Sequence, residues 1–165
     1  MGKTNHYPFK ILPEVLAINQ HQRKLFLEKV RKAVGNLRGK TLAIWGLSFK
    51  PNTDDLREAP SLTIVPALTS QGAKIRAYDP VSMDKAKSLF KKVKYCKNPY
   101  EAAQGADAVL ILTEWNEFKQ IDFNKLRSIV RQPVLVDGRN MYEPQEMAER
   151  GFAYHGMGRG EVSQF

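Results

Sequence analysis

Cysteine, histidine and long apolar runs are all scarce in this chain. A single cysteine, Cys96, stands among 165 residues, which excludes an intrachain disulfide and a thiolate metal cluster and points to a reducing compartment. Its setting, VKYCKNP, reads as a short strand, where a small thiol packs more often than it reacts. Asp54 and Asp55 have no His, Asp or Glu partners at ligand spacing, so no metal is expected. No apolar stretch approaches the roughly 18 residues that cross a bilayer. The opening MGKTNHYPFK lacks the apolar core of a secretory signal, and His6 stands where a myristoylation signal wants Ser or Thr. The chain reads as soluble and cytoplasmic, with no membrane partner.

Acidic residues are also few, 17 against 26 Lys and Arg, for a formal net charge of +9. Such a balance invites a nucleic-acid reading, but its distribution argues against one. Nine of the cations and only two of the acids fall in the first 40 residues, so the rest of the chain is nearly balanced. A second basic run, Lys85, Lys87, Lys91, Lys92, Lys94 and Lys97, carries no RNA-binding signature. Both read as solvated faces, and no nucleic-acid partner is expected.

What is present is alternation. From Pro13 to Val34 the residues Val15, Leu16, Ile18, Leu25, Phe26 and Val30 recur at roughly helical spacing, giving one long amphipathic helix that ends at GNLRG. A domain boundary follows near residues 35 to 40, dividing the chain into 1–37 and 38–165. Beyond it, strands are expected at KTLAIWG, AKIRAYDP, VKYCK, ADAVLILTE, PVLVDG and FAYHGMG. Helices are expected from Ser61 to about Gln71, at SMDKAKSLFKK, at NPYEAAQG, within residues 122 to 131 and at EPQEMAERG. Five or six strands separated by helices imply a parallel sheet covered on both faces. The fold class is α/β: a Rossmann-like, doubly wound parallel sheet preceded by a long N-terminal helix.

Ligands in such sheets bind outside the carboxyl ends of the strands, near the point where strand order reverses. The polar strand ends here are GLSFKPNTDDLRE, YDP, TEWNEF and DGRN. The first lies where a dinucleotide fingerprint would, yet it has one glycine, Gly46, and no GxGxxG. It offers Lys50 instead, fixed by Pro51 and suited to an anion. Arg57 has a fork suited to diphosphate, with Asp55 and Glu58 as alternative partners. Ser61 is a serviceable helix N-cap. At the later strand end Gly138 permits a turn, Arg139 faces the same crevice, and Asp137 orients that arginine or caps the loop. Lys50 and Arg139, with Arg57 nearby, describe an anionic nucleotide or sugar-nucleotide site. Asp79 ends the second strand, where a ribose-binding acid often stands, but it lies 33 residues past Gly46 rather than about 20, and YDP is also an ordinary turn.

Taken in order, GLSFKPNTDDLREAPS, AYDP, ADAVLILTEWNEF and VDGRN resemble the C-terminal, UDP-binding domain of the UDP-glucose 6-dehydrogenases, in the UDP-glucose/GDP-mannose dehydrogenase family. The resemblance runs from about Tyr7 to Arg159. ILPEVLAINQHQRKLFLEKV is similar to the end of that family's central helical domain, whose long helix forms a homodimer interface. The resemblance implies oxidation of UDP-glucose to UDP-glucuronate with two NAD molecules, through a cysteine-bound thiohemiacetal. It implies that Phe49 and Lys50 of FKPN contact the substrate, that Arg57 of DDLRE reaches the NAD held by the other half, and that Arg139 of DGRN holds the substrate across the subunit interface.

Two of the family's parts have no counterpart in these residues: the GxGxxG cofactor domain and the glycine-rich stretch carrying the nucleophilic cysteine. Cys96 stands on the wrong strand to replace the latter, so this chain alone is expected to be inactive. Two further readings stand beside this one. The chain could be the same half of a dehydrogenase for another UDP sugar, such as UDP-N-acetylmannosamine, although DGRNMYEP favours glucose. Alternatively it could be a non-catalytic dimerisation or nucleotide-binding module built on the apolar stripe of residues 8 to 34.

Overall fold

The alternation of short apolar strands with helices carries through to the structure, a computed structural model that describes residues 11–159. The opening decapeptide, with residues 8 to 10 of the expected apolar stripe, and the residues past Arg159 lie outside the described residues. Helix α1 spans Ile11–Val34 and strand β1 Thr41–Trp45, followed by α2 (Ser61–Ser70), β2 (Lys74–Tyr78), α3 (Met83–Leu89), β3 (Val93–Tyr95) and α4 (Pro99–Ala103). Then come β4 (Ala108–Ile111), a 3₁₀ turn (Asn116–Gln120), α5 (Phe123–Ile129), β5 (Val134–Asp137), α6 (Pro144–Glu149) and β6 (Ala153–Gly156). The six strands form one sheet in the order β3-β2-β1-β4-β5-β6, parallel throughout.

Burial on both faces explains why the central strands read as continuous apolar runs. In β1, Leu42 and Ile44 point to one face, where they pack with α1, α2 and α3 through Phe26, Leu68 and Ala86. Ala43 and Trp45 point to the other, toward Ala102 of α4, Leu126 of α5 and Met147 of α6. Trp45 fixes this second face in two ways. Its indole donates to the Pro99 carbonyl at 3.0 Å and its ring stacks on Phe118 of the 3₁₀ turn at 5.3 Å. That turn falls in TEWNEF, which has no helical period of its own; burial of Trp115 and Phe118 imposes it.

Helix α1 is two things in succession. Its second half buries Phe26, Leu27 and Val30, each contributing about 1.5–3 kcal/mol. Its first half leaves Ile11, Leu12, Val15, Leu16 and Ile18 exposed. Gly35 and Gly39, both at φ 77°, then turn the chain into β1.

One local expectation is corrected. Ser61 does not cap α2: Pro60 occupies the cap position, and the Ser61 hydroxyl donates to the Leu47 carbonyl at 2.5 Å. A fully buried hydroxyl takes the nearest strong acceptor, here the free carbonyl just past β1.

Candidate functional site at the carboxyl end of the sheet

Strand order reverses between β1 and β4, so the crevice that doubly wound sheets use for ligands lies over their carboxyl ends. Its shape is set by Asp79, at the end of β2. This carboxylate is fully buried and accepts six hydrogen bonds. Oδ2 takes the Leu47 and Ser48 N–H groups, the Ser48 hydroxyl and the Trp115 indole at 2.7–3.2 Å. Oδ1 takes the Val81 and Ser82 N–H groups at 3.0 and 2.7 Å. Burial pushes its pKa up, but the backbone N–H groups outweigh that and hold the carboxyl below its ordinary value. Asp79 therefore ties together the loops after β1, β2 and β4. With both oxygens committed, the ribose-binding alternative for Asp79 is set aside.

Arg139 leaves the end of β5 and meets Glu114, from the end of β4, in a two-point pair: Nε–Oε2 2.5 Å and Nη2–Oε1 2.7 Å. The bonded guanidinium holds Glu114 below the usual carboxylate range. Asp137 does not contact the guanidinium. It caps the loop, accepting the Arg139 and Met141 N–H groups at 2.8 and 2.7 Å and the Tyr154 hydroxyl at 2.8 Å. Asn140, at φ 53°, exchanges two hydrogen bonds with the Met157 backbone. Gly138 is required by close packing: a Cβ there would lie 2.9 Å from the Ile111 carbonyl and 3.1 Å from the Phe26 ring of α1.

Phe49, 46% exposed, and Arg139 line one cleft of about 530 Å³. Its opposite wall is α1, through Leu16, Asn19 and Arg23. Arg23 crosses to the loop after β1, donating to the Glu58 carbonyl at 2.7 Å and the Thr63 hydroxyl at 3.3 Å. Glu58 sits at φ 58°, a conformation uncommon for a residue with a side chain. Thus the helix secures the strained turn of DDLRE.

Lys50 and Arg57 are not brought to the same wall. Lys50 is exposed, beside a turn in which Pro51 precedes Asn52 at φ 61°, as a type II turn requires. It makes no side-chain ion pair among the described residues. Arg57, its side chain 91% exposed, chelates Asp55 with Nη2–Oδ2 at 2.8 Å and Nε–Oδ1 at 3.0 Å. Arg57 holds the Asp55 carboxyl down at about 2. Asp54 pairs with Lys85 of α3 at 2.7 Å. The acids of the loop thus hold Arg57 within it and tie it to α3, leaving Lys50 aside. Among the described residues no group of three His, Cys, Asp or Glu could hold a metal ion, and Cys96 is buried just past β3.

The crevice does not supply a dinucleotide cradle. At Gly46, the one glycine of the β1 turn, a Cβ would meet Thr113 at 2.5 Å, so the space a pyrophosphate would need is filled by the neighbouring strand end. The Leu47 and Ser48 N–H groups already serve Asp79. What remains at the strand ends is a set of side chains, Phe49, Lys50, Arg57 and Arg139, around the cleft and its rim. Glu114 and Arg23 were not anticipated, because one is paired across 25 residues and the other lies on a helix that reads only as amphipathic.

The all-parallel strand order, with a cleft at its switch point, defines a doubly wound, Rossmann-like class of α/β domain. Residues 43–144 match the model of the UDP-glucose/GDP-mannose dehydrogenase family, UDP binding domain. The chain is 39% identical over 163 residues to UDP-glucose 6-dehydrogenase TuaD of Bacillus subtilis, a match taking in 98% of this chain and 35% of the relative. With the UDP-glucose 6-dehydrogenase of Pseudomonas aeruginosa it shares 46% identity over 160 residues, 93% of this chain and 35% of that one. The solved structure of a UDP-glucose dehydrogenase from Pyrobaculum islandicum superposes with a TM-score of 0.78 at 29% identity, covering 94% of this chain and 34% of the other. A UDP-D-ManNAc dehydrogenase structure from Pyrococcus horikoshii gives 0.66 at 28% identity, covering 87% and 31%. The chain belongs to the UDP-glucose/GDP-mannose dehydrogenase family, as its C-terminal UDP-binding part. It spans about a third of the length of the curated relatives it matches.

Proposed function

We propose that this chain is the UDP-sugar-binding half of an NAD-dependent, cytoplasmic UDP-glucose 6-dehydrogenase. Residues 1–37 close the central helical domain and residues 38–165 form the sugar-nucleotide domain. The observation that carries the reading is the cleft at the switch point, where Phe49 and the Glu114-braced Arg139 share one wall system. An arginine held at two points is already oriented, so less side-chain freedom is lost when it binds phosphate. Phe49 presents an exposed ring to a base or the apolar face of a sugar, and Lys50, without an ion-pair partner among the described residues, supplies the mobile charge beside it. Arg57 reaches toward an NAD held mainly by residues outside this chain. The names of the relatives favour glucose as the sugar. With no dinucleotide cradle and Cys96 buried, the chain by itself binds the nucleotide without oxidising it.

The exposed stripe from Ile11 to Ile18 supports a homodimer through α1. Leu16 belongs both to that stripe and to the cleft, so a second copy docked there would border the bound nucleotide, as an Arg139 acting across the interface requires. The test is titration with UDP, followed by amide resonances. Shifts at Phe49, Lys50 and Arg139, and a weakening of about tenfold in Arg139→Ala, are expected. Resonances unmoved by millimolar UDP would defeat the reading. Dimerisation is checked separately by light scattering of Leu16→Asp, which should be monomeric.

A further inference from the structure

A second cleft, of about 590 Å³, opens at the opposite, amino end of the sheet. Its lining includes Lys74 and Arg76 of β2, Lys92 and Lys94 at β3, and Arg131 ahead of β5, with no acidic residue among them. Beside it the fully buried Asp107 is already shared by Lys40 and Arg131 at 3.4 Å. Lys74, Lys92 and Lys94 are exposed and make no ion pair among the described residues.

The arrangement is costly to the fold as it stands. Arg76 and Lys94 are directly opposite each other on paired strands, and like charges so placed repel. Arg76 spends its Nη groups on the Glu101 and Gln104 carbonyls at the end of α4, which satisfies hydrogen bonding without neutralising its charge. Lys94, on the edge strand, is itself exposed. The cations are thus both concentrated and open.

We propose that this cleft binds an oligophosphate, a small molecule carrying two or three linked phosphates, at a site separate from the carboxyl-end crevice. Neighbouring strands lie about 4.8 Å apart, and residues two apart along a strand about 6.6 Å. The ammonium groups of Lys74, Lys92 and Lys94 start from the ends of two neighbouring strands, and a chain of two or three phosphates offers each an anionic oxygen and more charge than a single phosphate does, while Arg76, bound to carbonyls, adds its field. The cleft has the size of a small-molecule site. It has no aromatic residue among those lining it on which bases could stack. A bound anion would also offset the Arg76–Lys94 repulsion.

Inorganic tripolyphosphate is the probe, titrated at physiological ionic strength into the wild-type chain, Lys74→Gln/Lys94→Gln and Lys50→Gln, with calorimetry and thermal unfolding as readouts. The expected result is a saturable site present in the wild type and in Lys50→Gln alike, whatever weaker binding the carboxyl-end crevice adds, and weakened by about tenfold for each lysine removed in the double variant. Without ligand the double variant should melt above the wild type, because repulsion is relieved; with saturating ligand the order should reverse. No binding, or binding that Lys74→Gln/Lys94→Gln leaves unchanged, overturns the proposal. Binding lost in Lys50→Gln places the phosphate in the carboxyl-end crevice and overturns it too. A mixed-sequence single-stranded oligonucleotide bound more tightly than tripolyphosphate overturns it in favour of a nucleic-acid surface.

Discussion

The two ends of the one sheet handle charge in opposite ways. At the carboxyl end most cations are held by acids, Arg139 by Glu114, Arg57 by Asp55, Lys85 by Asp54 and Arg23 by Glu58, with Lys50 the exception. At the amino end Arg131 leans on the buried Asp107, but Lys74, Arg76, Lys92 and Lys94 share a cleft lined without an acid. Paired side chains keep a defined direction, which suits recognition of one shaped ligand. Unpaired ones provide field without direction, which suits any compact anion. A net charge of +9 therefore says less than the placement of 17 acids.

The contrast is broken most severely by Asp79→Asn. An amide can serve the acceptors' role on one side only, so buried N–H groups of Leu47 and Ser48, or of Val81 and Ser82, lose their partner. Urea unfolding should show a loss of about 3 kcal/mol, together with loss of UDP response. Next comes Gly138→Ala, whose Cβ drives against the Ile111 carbonyl and Phe26. It should cost about 2 kcal/mol in the same measurement and loosen α1 from the domain, seen as faster amide exchange around Phe26.

Acid should undo the carboxyl end selectively. Asp79 and Glu114 are both held below their ordinary values of 3.8 and 4.5. Their folded pKa values lie below the unfolded ones, so their contribution is complete above about pH 5 and is lost as pH falls through the folded values. Unfolding midpoints measured from pH 7 down to 3 should decline in that window, and less steeply in Glu114→Gln. The smallest effect belongs to the amino end: Lys94→Gln should raise stability by about 0.5 kcal/mol, most visibly at low salt.

Much of this was legible in the sequence. Strand and helix alternation fixes the parallel sheet because each run is apolar through its length, as in AVLI of β4. The loops that bear the site follow from the same pattern. What could not be read is pairing at a distance. Arg139 finds Glu114, and Asp79 finds Leu47, Ser48 and Trp115, only once strands far apart in the chain lie side by side. Asp79 resembles a ribose acid and Ser61 a helix cap by local rules; burial decides both otherwise. Lys50 and Arg139 sit at corresponding strand ends, yet the turn at Pro51 and Asn52 sends the lysine to solvent while Phe49 joins Arg139 at the cleft.

A carboxylate shared by three loops also makes them one kinetic object. For the Leu47, Ser48, Val81 or Ser82 amide to reach solvent, the bond to Asp79 must open, which leaves a buried carboxylate short of a donor while the other loops hold it in place. Opening of one loop is therefore opposed by the other two, and the crevice floor yields as a unit. In native-state hydrogen exchange these four amides should share one opening free energy, although they come from separate stretches of chain.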